Sequence, residues 1–215
     1  MKRTAYLVRH GEAENNLVEP PPIYLGAEAK LTDLGKREAE LIAKRATRIQ
    51  VDLLVSSSMT RARQTTAAIS YQIDKHILVS DLFVERSGPS CLVGREWRDP
   101  EVQRIQKLYE DSCFKDERVL DGENFSDLRQ RGMQALQFLE ERPEQHIMVV
   151  THGLFLRVLV GCAVYGQLLT AEILAPMEHG FRTRNTGLTM LEYDPERLKS
   201  PWSILTWNDY AHLAD

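Results

Sequence analysis

The chain has 215 residues, 43% hydrophobic and 27% charged, with a formal net charge of -4. That length suits one medium-sized domain with a buried core, and the balance excludes a disordered chain. The acidic balance gives no basic stripe for nucleic acid, so no nucleic-acid partner is expected.

In chain order, MKRTAYLVRH opens with a basic pair, but its apolar run is too short for a signal peptide. Ala5 to Val8 reads as a buried strand. A Pro-rich loop follows, Glu19 to Pro22, with Pro20, Pro21 and Pro22 stiffening it. Thr32 is placed to cap a helix running to about Ile49, with Leu34, Ala39, Leu41 and Ile42 among its apolar positions. VDLLVS is strand-like, and SSSMTRARQTTAAISY continues into a helix with serines available to cap it. Ile77 to Val79 suits a further strand.

From residue 86 to about 130 the regularity fails. Gly88, Pro89, Gly94 and Pro100 break the run, and helical stretches at Glu101–Tyr109 and Ser126–Glu141 surround a polar connection. HIMVVT then reads as strand and Leu154 to Val164 as helix, with late strands near Thr189–Tyr193 and Ser203–Thr206. The most apolar stretch, LFLRVLVGCAVYGQLL, is too short for a bilayer and carries Arg157, so no membrane association is expected. Cys91, Cys113 and Cys162 form no CxxC pair and suggest reduced thiols in a cytoplasmic protein. The alternation predicts an α/β fold over residues 1–215. Its mostly parallel central sheet is flanked by helices on both faces, and a helical insertion at about 86–130 roofs the active site.

In such sheets ligands bind beyond the carboxyl ends of the strands. Two segments share one grammar there: LVRHG and VVTHG each run apolar strand, one polar residue, His, Gly. One such pair alone is most simply a loop start. Two after two apolar strands bring His10 and His152 to the same edge. Arg9 precedes His10, and Arg61 stands on the expected first turn of the helix after VDLLVS. An arginine fork matches phosphate oxygens, and a helix N-terminus adds N–H groups facing the same anion. Arg63 points away on that helix. Asn16 is placed to donate an amide N–H to the anion, although a lone loop Asn is usually a turn residue. These groups fit a phosphate.

VRHGEAENN resembles the signature of the histidine phosphatase superfamily, also called phosphoglycerate mutase-like. KLTDLGKREAE, SSSMTRARQT, VERSGPS and VVTHG are similar to its later blocks, in chain order, with a weaker NTG match at Asn185. A family likeness of this kind implies that the ligand is a small phosphorylated metabolite or inorganic phosphate. The resemblance implies that His10 is the nucleophile, that Arg9, Arg61, His152 and Asn16 hold the phosphate, and that Glu85 is the general acid. Glu12 and Glu14 are the competing carboxylates, with Glu12 better suited to a structural role. Positive charge on Arg9, Arg61 and His152 would stabilise the transferring phosphoryl group.

Neither a metal nor another cofactor is expected. No HxH or HExxH pattern occurs, and arginines beside the histidines would repel a cation. Arg86, Arg95 and Arg98 are either substrate contacts from the insertion or solvated charges. The enzyme expected is a metal-independent phosphatase. The alternatives are a cofactor-dependent phosphoglycerate mutase and a phospho-ligand module without turnover. Mutases resemble RHGE followed by Trp-Asn, and AENNLVEPPPIYLGAEAK departs from that. A module without turnover would be expected to lack the nucleophile or the acid. The tail WNDYAHL resembles one seen in some family phosphatases, which implies that His212 folds back toward the core, in a packing role.

Overall fold

Alternate side chains of the central strands feed two separate apolar cores, and that decides where each helix packs. The computed structural model describes residues 1–17, 19 and 21–214. Pro20 of the expected stiff loop and Asp215 at the end of the expected domain lie outside the described residues. Six strands are β1 (Arg3–Arg9), β2 (Leu53–Ser56), β3 (Ile77–Val79), β4 (His146–Thr151), β5 (Leu188–Tyr193) and β6 (Trp202–Asp209). They form one sheet in the order β3-β2-β4-β1-β5-β6. The first four in that order run parallel, β5 runs antiparallel to β1, and β6, antiparallel to β5, runs with the first four. The helices are α1 (Asp33–Ala46), α2 (Thr60–Ile73), α3 (Pro100–Ser112), α4 (Phe125–Glu141), α5 (Gly153–Tyr165) and α6 (Ala171–Gly180).

Leu7, Val55 and Val149 face one side and pack with α4, α5 and α6. Val8, Leu54 and Val150 face the other side and pack with α1 and α2. A period of two along each strand does this sorting. α1 starts where Thr32 accepts the Gly35 N–H at 3.0 Å. It stops at Ala46, short of Ile49, because Ile49 bonds back only three residues to the Ala46 carbonyl. Its buried stripe is Gly35, Ala39, Ile42, Ala43 and Ala46, whereas Leu34 faces out.

Other expectations shift. No serine caps α2; its N-cap is Met59, and Ser57 is committed elsewhere. Pro100 does not break the insertion but sits in the first turn of α3, behind an Asp99 cap, where its missing N–H costs nothing. α6 was not anticipated; it carries Pro176 inside it. No helix among the described residues is long and apolar enough to cross a membrane.

The insertion reaches over the carboxyl edge of the sheet and meets the loop after β1. Ile23 pairs with Glu96, Tyr24 stacks on Trp97 at 5.6 Å, and Leu92, Val102 and Ile105 make a small core beneath Tyr24. Arg86 fastens this roof. Its guanidinium donates to the Glu123 and Tyr109 carbonyls and to Ser112 Oγ, and lies 3.8 Å from the Tyr109 ring centroid.

Candidate active site

β1 and β4 are hydrogen-bonded neighbours with Arg9 opposite Thr151, so the residues after them emerge side by side. The His10 N–H donates to the Thr151 carbonyl at 2.9 Å, and the His10 and His152 rings lie 5.0 Å apart. Both are buried, at 2% and 0% exposure. β2 and α2 complete the site from the other flank of β4, bringing Ser57 and Arg61.

Two partners determine the His10 tautomer. Nδ1 lies 2.7 Å from the Gly11 carbonyl, which can only accept, so Nδ1 carries the proton. Nε2 lies 3.1 Å from Arg61 Nε, which can only donate, so Nε2 keeps its lone pair. Burial, then the charges of Arg61 and Arg9, push His10 well below the ordinary histidine range. The result is a neutral imidazole with its basic nitrogen turned toward a guanidinium.

The turn that makes this possible depends on backbone meeting backbone. A Cβ at Gly11 would lie 2.5 Å from the Gly35 carbonyl oxygen, and one at Gly35 only 1.9 Å from the Glu12 oxygen. Thr65, one turn beyond Arg61, accepts the Gly11 N–H at 3.1 Å and donates to the Arg61 carbonyl at 2.9 Å. Asn185 donates to the His10 carbonyl at 3.0 Å, and Thr186 bonds the Arg9 carbonyl from a left-handed conformation, φ 55°. His212 holds that strained Thr186 by a 3.1 Å bond to its hydroxyl, while Arg45 lies 3.2 Å from the other ring nitrogen. The tail therefore supports the RHG turn rather than merely packing.

Arg61 is 3% exposed; besides His10 it reaches the Gly26 carbonyl at 3.3 Å and Met59 Sδ at 3.2 Å. Arg9 donates to the Thr183 carbonyl at 2.6 Å, and its Nε is buried without a partner among the described residues. Burial draws both guanidiniums down from their ordinary value, and Glu85 opposes it. His152 Nε2 shares a 2.8 Å bond with Ser57 Oγ, and its Nδ1 has no partner among the described residues. Burial, then His10 and Arg61, push it well below the ordinary range. Burial and these neighbouring charges work against the positive charge expected on His152, and a bound anion would work the other way. Ser57 was missed; its only signal was the serine run before Arg61.

Glu85 is held at the start of α5. One carboxylate oxygen accepts the Phe155 N–H at 2.9 Å and the other the Leu154 N–H at 3.1 Å. It therefore stands one turn from His152. Glu12 instead accepts the Thr32 hydroxyl at 2.7 Å, and Glu14 accepts the Lys30 N–H at 2.8 Å; both fasten loops. Asn16 is exposed and uses its oxygen to accept from Ala13 N at 3.1 Å and Asn185 at 3.4 Å. That orientation leaves its amide N–H₂ as the end available to a ligand. Arg86 serves the roof, Arg95 pairs with Asp99 at 2.5 Å, and Arg98 and Arg63 are exposed. No three His, Cys, Asp or Glu side chains cluster as metal ligands among the described residues.

The family model described as "Histidine phosphatase superfamily (branch 1)" matches residues 5–210. A curated relative, the probable phosphoglycerate mutase GpmB of Serratia proteamaculans (strain 568), is 28% identical over 212 residues, 97% of this chain and 94% of its own. The alpha-ribazole phosphatase of Shigella flexneri superposes with a TM-score of 0.75 at 21% identity, over 96% of this chain and 96% of that one. A mycobacterial glucosyl-3-phosphoglycerate phosphatase gives 0.71 at 19% identity, over 97% of this chain and 99% of the other. Both structures share the fold.

Proposed function

We propose that this chain, which belongs to the histidine phosphatase superfamily, hydrolyses small phosphate monoesters through a phosphohistidine on His10, without a metal ion. We read it as one domain whose insertion roofs the site. Three free thiols, with Cys113 and Cys162 buried and pushed up to about 11 and about 12 by that burial, support a cytoplasmic setting. The observation that carries the reading is the pair of contacts on the His10 ring: Nδ1 donates its proton to the Gly11 carbonyl, and Nε2 accepts from Arg61 Nε.

In the first step Nε2 attacks phosphorus while the ester P–O bond breaks, its electron pair leaving on the alcohol oxygen. Glu85, carrying a proton, donates it to that oxygen. Arg61 releases Nε2 and, with Arg9, donates to the phosphoryl oxygens, joined by His152 and the Asn16 amide. Pre-oriented donors of this kind are each worth roughly a hundredfold to a thousandfold in rate. In the second step Glu85 takes a proton from water, the water oxygen attacks phosphorus, and the P–N bond pair returns to Nε2. Arginine supplies the positive charge that a metal ion would otherwise bring.

The relative's name raises the mutase reading, which shares the first step and differs in the acceptor. Supplying 3-phosphoglycerate with 2,3-bisphosphoglycerate tests both. Free phosphate should accumulate, interconversion of the phosphoglycerates should be slow, and a chelator should leave the rate unchanged. Rapid bisphosphate-dependent interconversion with little free phosphate would replace this reading with the mutase.

A further inference from the structure

Resting on the phosphatase reading, we infer that the cleft beyond Glu85 is a leaving-group subsite for an uncharged, hydroxyl-bearing alcohol. The Tyr109 hydroxyl is its hydrogen-bonding contact, and a rim of carboxylates turns away a second anion. The cleft begins at Glu85 and Leu154, whose N–H holds the Glu85 carboxylate, and runs between α3 and the end of α6. An alcohol receiving its proton from Glu85 therefore has this space beside it.

Tyr109 lines the cleft, yet it is only 6% exposed, and its hydroxyl is buried with no partner among the described residues. Buried hydroxyls in folded proteins are nearly always bonded, so an orphan beside a reacting group calls for a ligand. The ring is held for that purpose. Arg86 stacks on it at 3.8 Å and also bonds its carbonyl. Gly122 and Gly88 flank it; a Cβ on Gly122 would lie 3.0 Å from the ring, and one on Gly88 3.5 Å from the ring and 3.1 Å from the Tyr24 hydroxyl. The two phenols thus border one small space that glycine keeps open. Burial pushes the Tyr109 phenol up, so it remains a donor at neutral pH.

The charges around the cleft select against anions. With Glu85 carrying its proton in the first step, Glu110, Asp111 and Glu178 remain as carboxylates along it, against Arg86 and Lys115. Arg86 is already spent on the Glu123 and Tyr109 carbonyls and Ser112. Arg157, near Glu178, donates to the Phe181 and Gly153 carbonyls and does not line the cleft. A carboxylate or second phosphate on the leaving group would meet like charge, whereas hydroxyls can accept from Tyr109 and donate to the carboxylates.

Sorbitol 6-phosphate and 6-phosphogluconate test this, since they differ mainly in a terminal CH₂OH against COO⁻. The wild-type protein should show kcat/KM at least about tenfold higher for sorbitol 6-phosphate, a gap that shrinks as salt is raised. Tyr109→Phe, which keeps the ring, should lower the ratio of kcat/KM for sorbitol 6-phosphate to that for p-nitrophenyl phosphate about tenfold, the effect of one hydrogen bond. Glu110→Gln with Glu178→Gln should raise kcat/KM for 6-phosphogluconate several-fold. Equal use of the two sugar phosphates, or an unchanged ratio in Tyr109→Phe, overturns the subsite while turnover of p-nitrophenyl phosphate leaves the phosphatase reading standing. Preference for phosphoethanolamine over sorbitol 6-phosphate overturns it in favour of a cationic alcohol. No phosphate release from p-nitrophenyl phosphate would sink the phosphatase reading itself.

Discussion

The carboxyl edge of β1 and β4 and the roof above it are built on different principles. At the edge, position comes from the backbone: two paired strands set His10 beside His152, and Gly11 and Gly35 touch main chain to main chain. In the roof, position comes from side chains: Arg86 gathers carbonyls, Tyr24 stacks on Trp97, and a few apolar residues make a core of their own. A site held by backbone leaves little freedom in its chemistry. One covered by side chains can change what it admits by changing a few residues. On the proposed function, that division would separate the phosphoryl-transfer step from the choice of alcohol.

The largest effect expected at the border between the two regions is that of Glu85→Gln. The amide cannot transfer a proton, so kcat for alkyl phosphates should fall by roughly 10²–10⁴, the usual worth of general acid–base catalysis. The loss should be much smaller for p-nitrophenyl phosphate, whose leaving group departs without a proton. Equal losses on both would mean that Glu85 acts only through the N-terminus of α5, and Glu12→Gln would be compared next.

A smaller pair of changes sets the two regions against each other. Gly35→Ala drives a methyl into the Glu12 carbonyl, and only movement of the RHG turn can relieve it. Overpacking of this kind costs about 1–3 kcal/mol, and kcat should fall with it. Trp97→Ala removes the stack on Tyr24, worth about 0.5–1.5 kcal/mol beyond area, and should act mainly on KM. Urea unfolding and steady-state kinetics on both variants check this. A roof variant that lowers kcat more than the edge variant would reverse the assignment.

The smallest effect concerns pH. Burial and Arg45 lower His212 from 6.5 to about 4. The unfolded chain therefore takes up a proton at His212 before the folded one does. The associated stability is complete above pH 6.5 and is lost as pH falls toward 4. His212 is partly exposed, so solvent screening keeps its share modest. His212→Gln should flatten the fall of Tm between pH 6.5 and 4 without removing it, since His10 and His152 are lowered in the same sense. A steeper fall in the variant would contradict the role given to the tail.

What the sequence made legible follows the same division. LVRHG, VVTHG and the RARQT block are local strings whose strand-to-turn and helix-start positions carry meaning by themselves. Their side chains met at one edge as expected. The contact of Gly11 with Gly35 was not legible, because a backbone collision between distant segments leaves no mark except two glycines. Nor were the seating of Glu85 on the N-terminus of α5, the inward turn of Arg86, or the bond of His212 to Thr186. Each depends on where a long side chain goes after the fold has closed. α6 was not read either: Pro176 lies inside it, and proline ordinarily interrupts a helix.

The central claim is that His10 Nε2 takes the phosphoryl group. Rapid quench into alkaline detergent during turnover of a slow ³²P-labelled monoester tests it. The account predicts label on the protein that is acid-labile and base-stable, mapped to His10, absent from His10→Ala, and formed at a rate no slower than kcat. Absence of any such label, with His10→Ala still hydrolysing at near the wild-type rate, would contradict it.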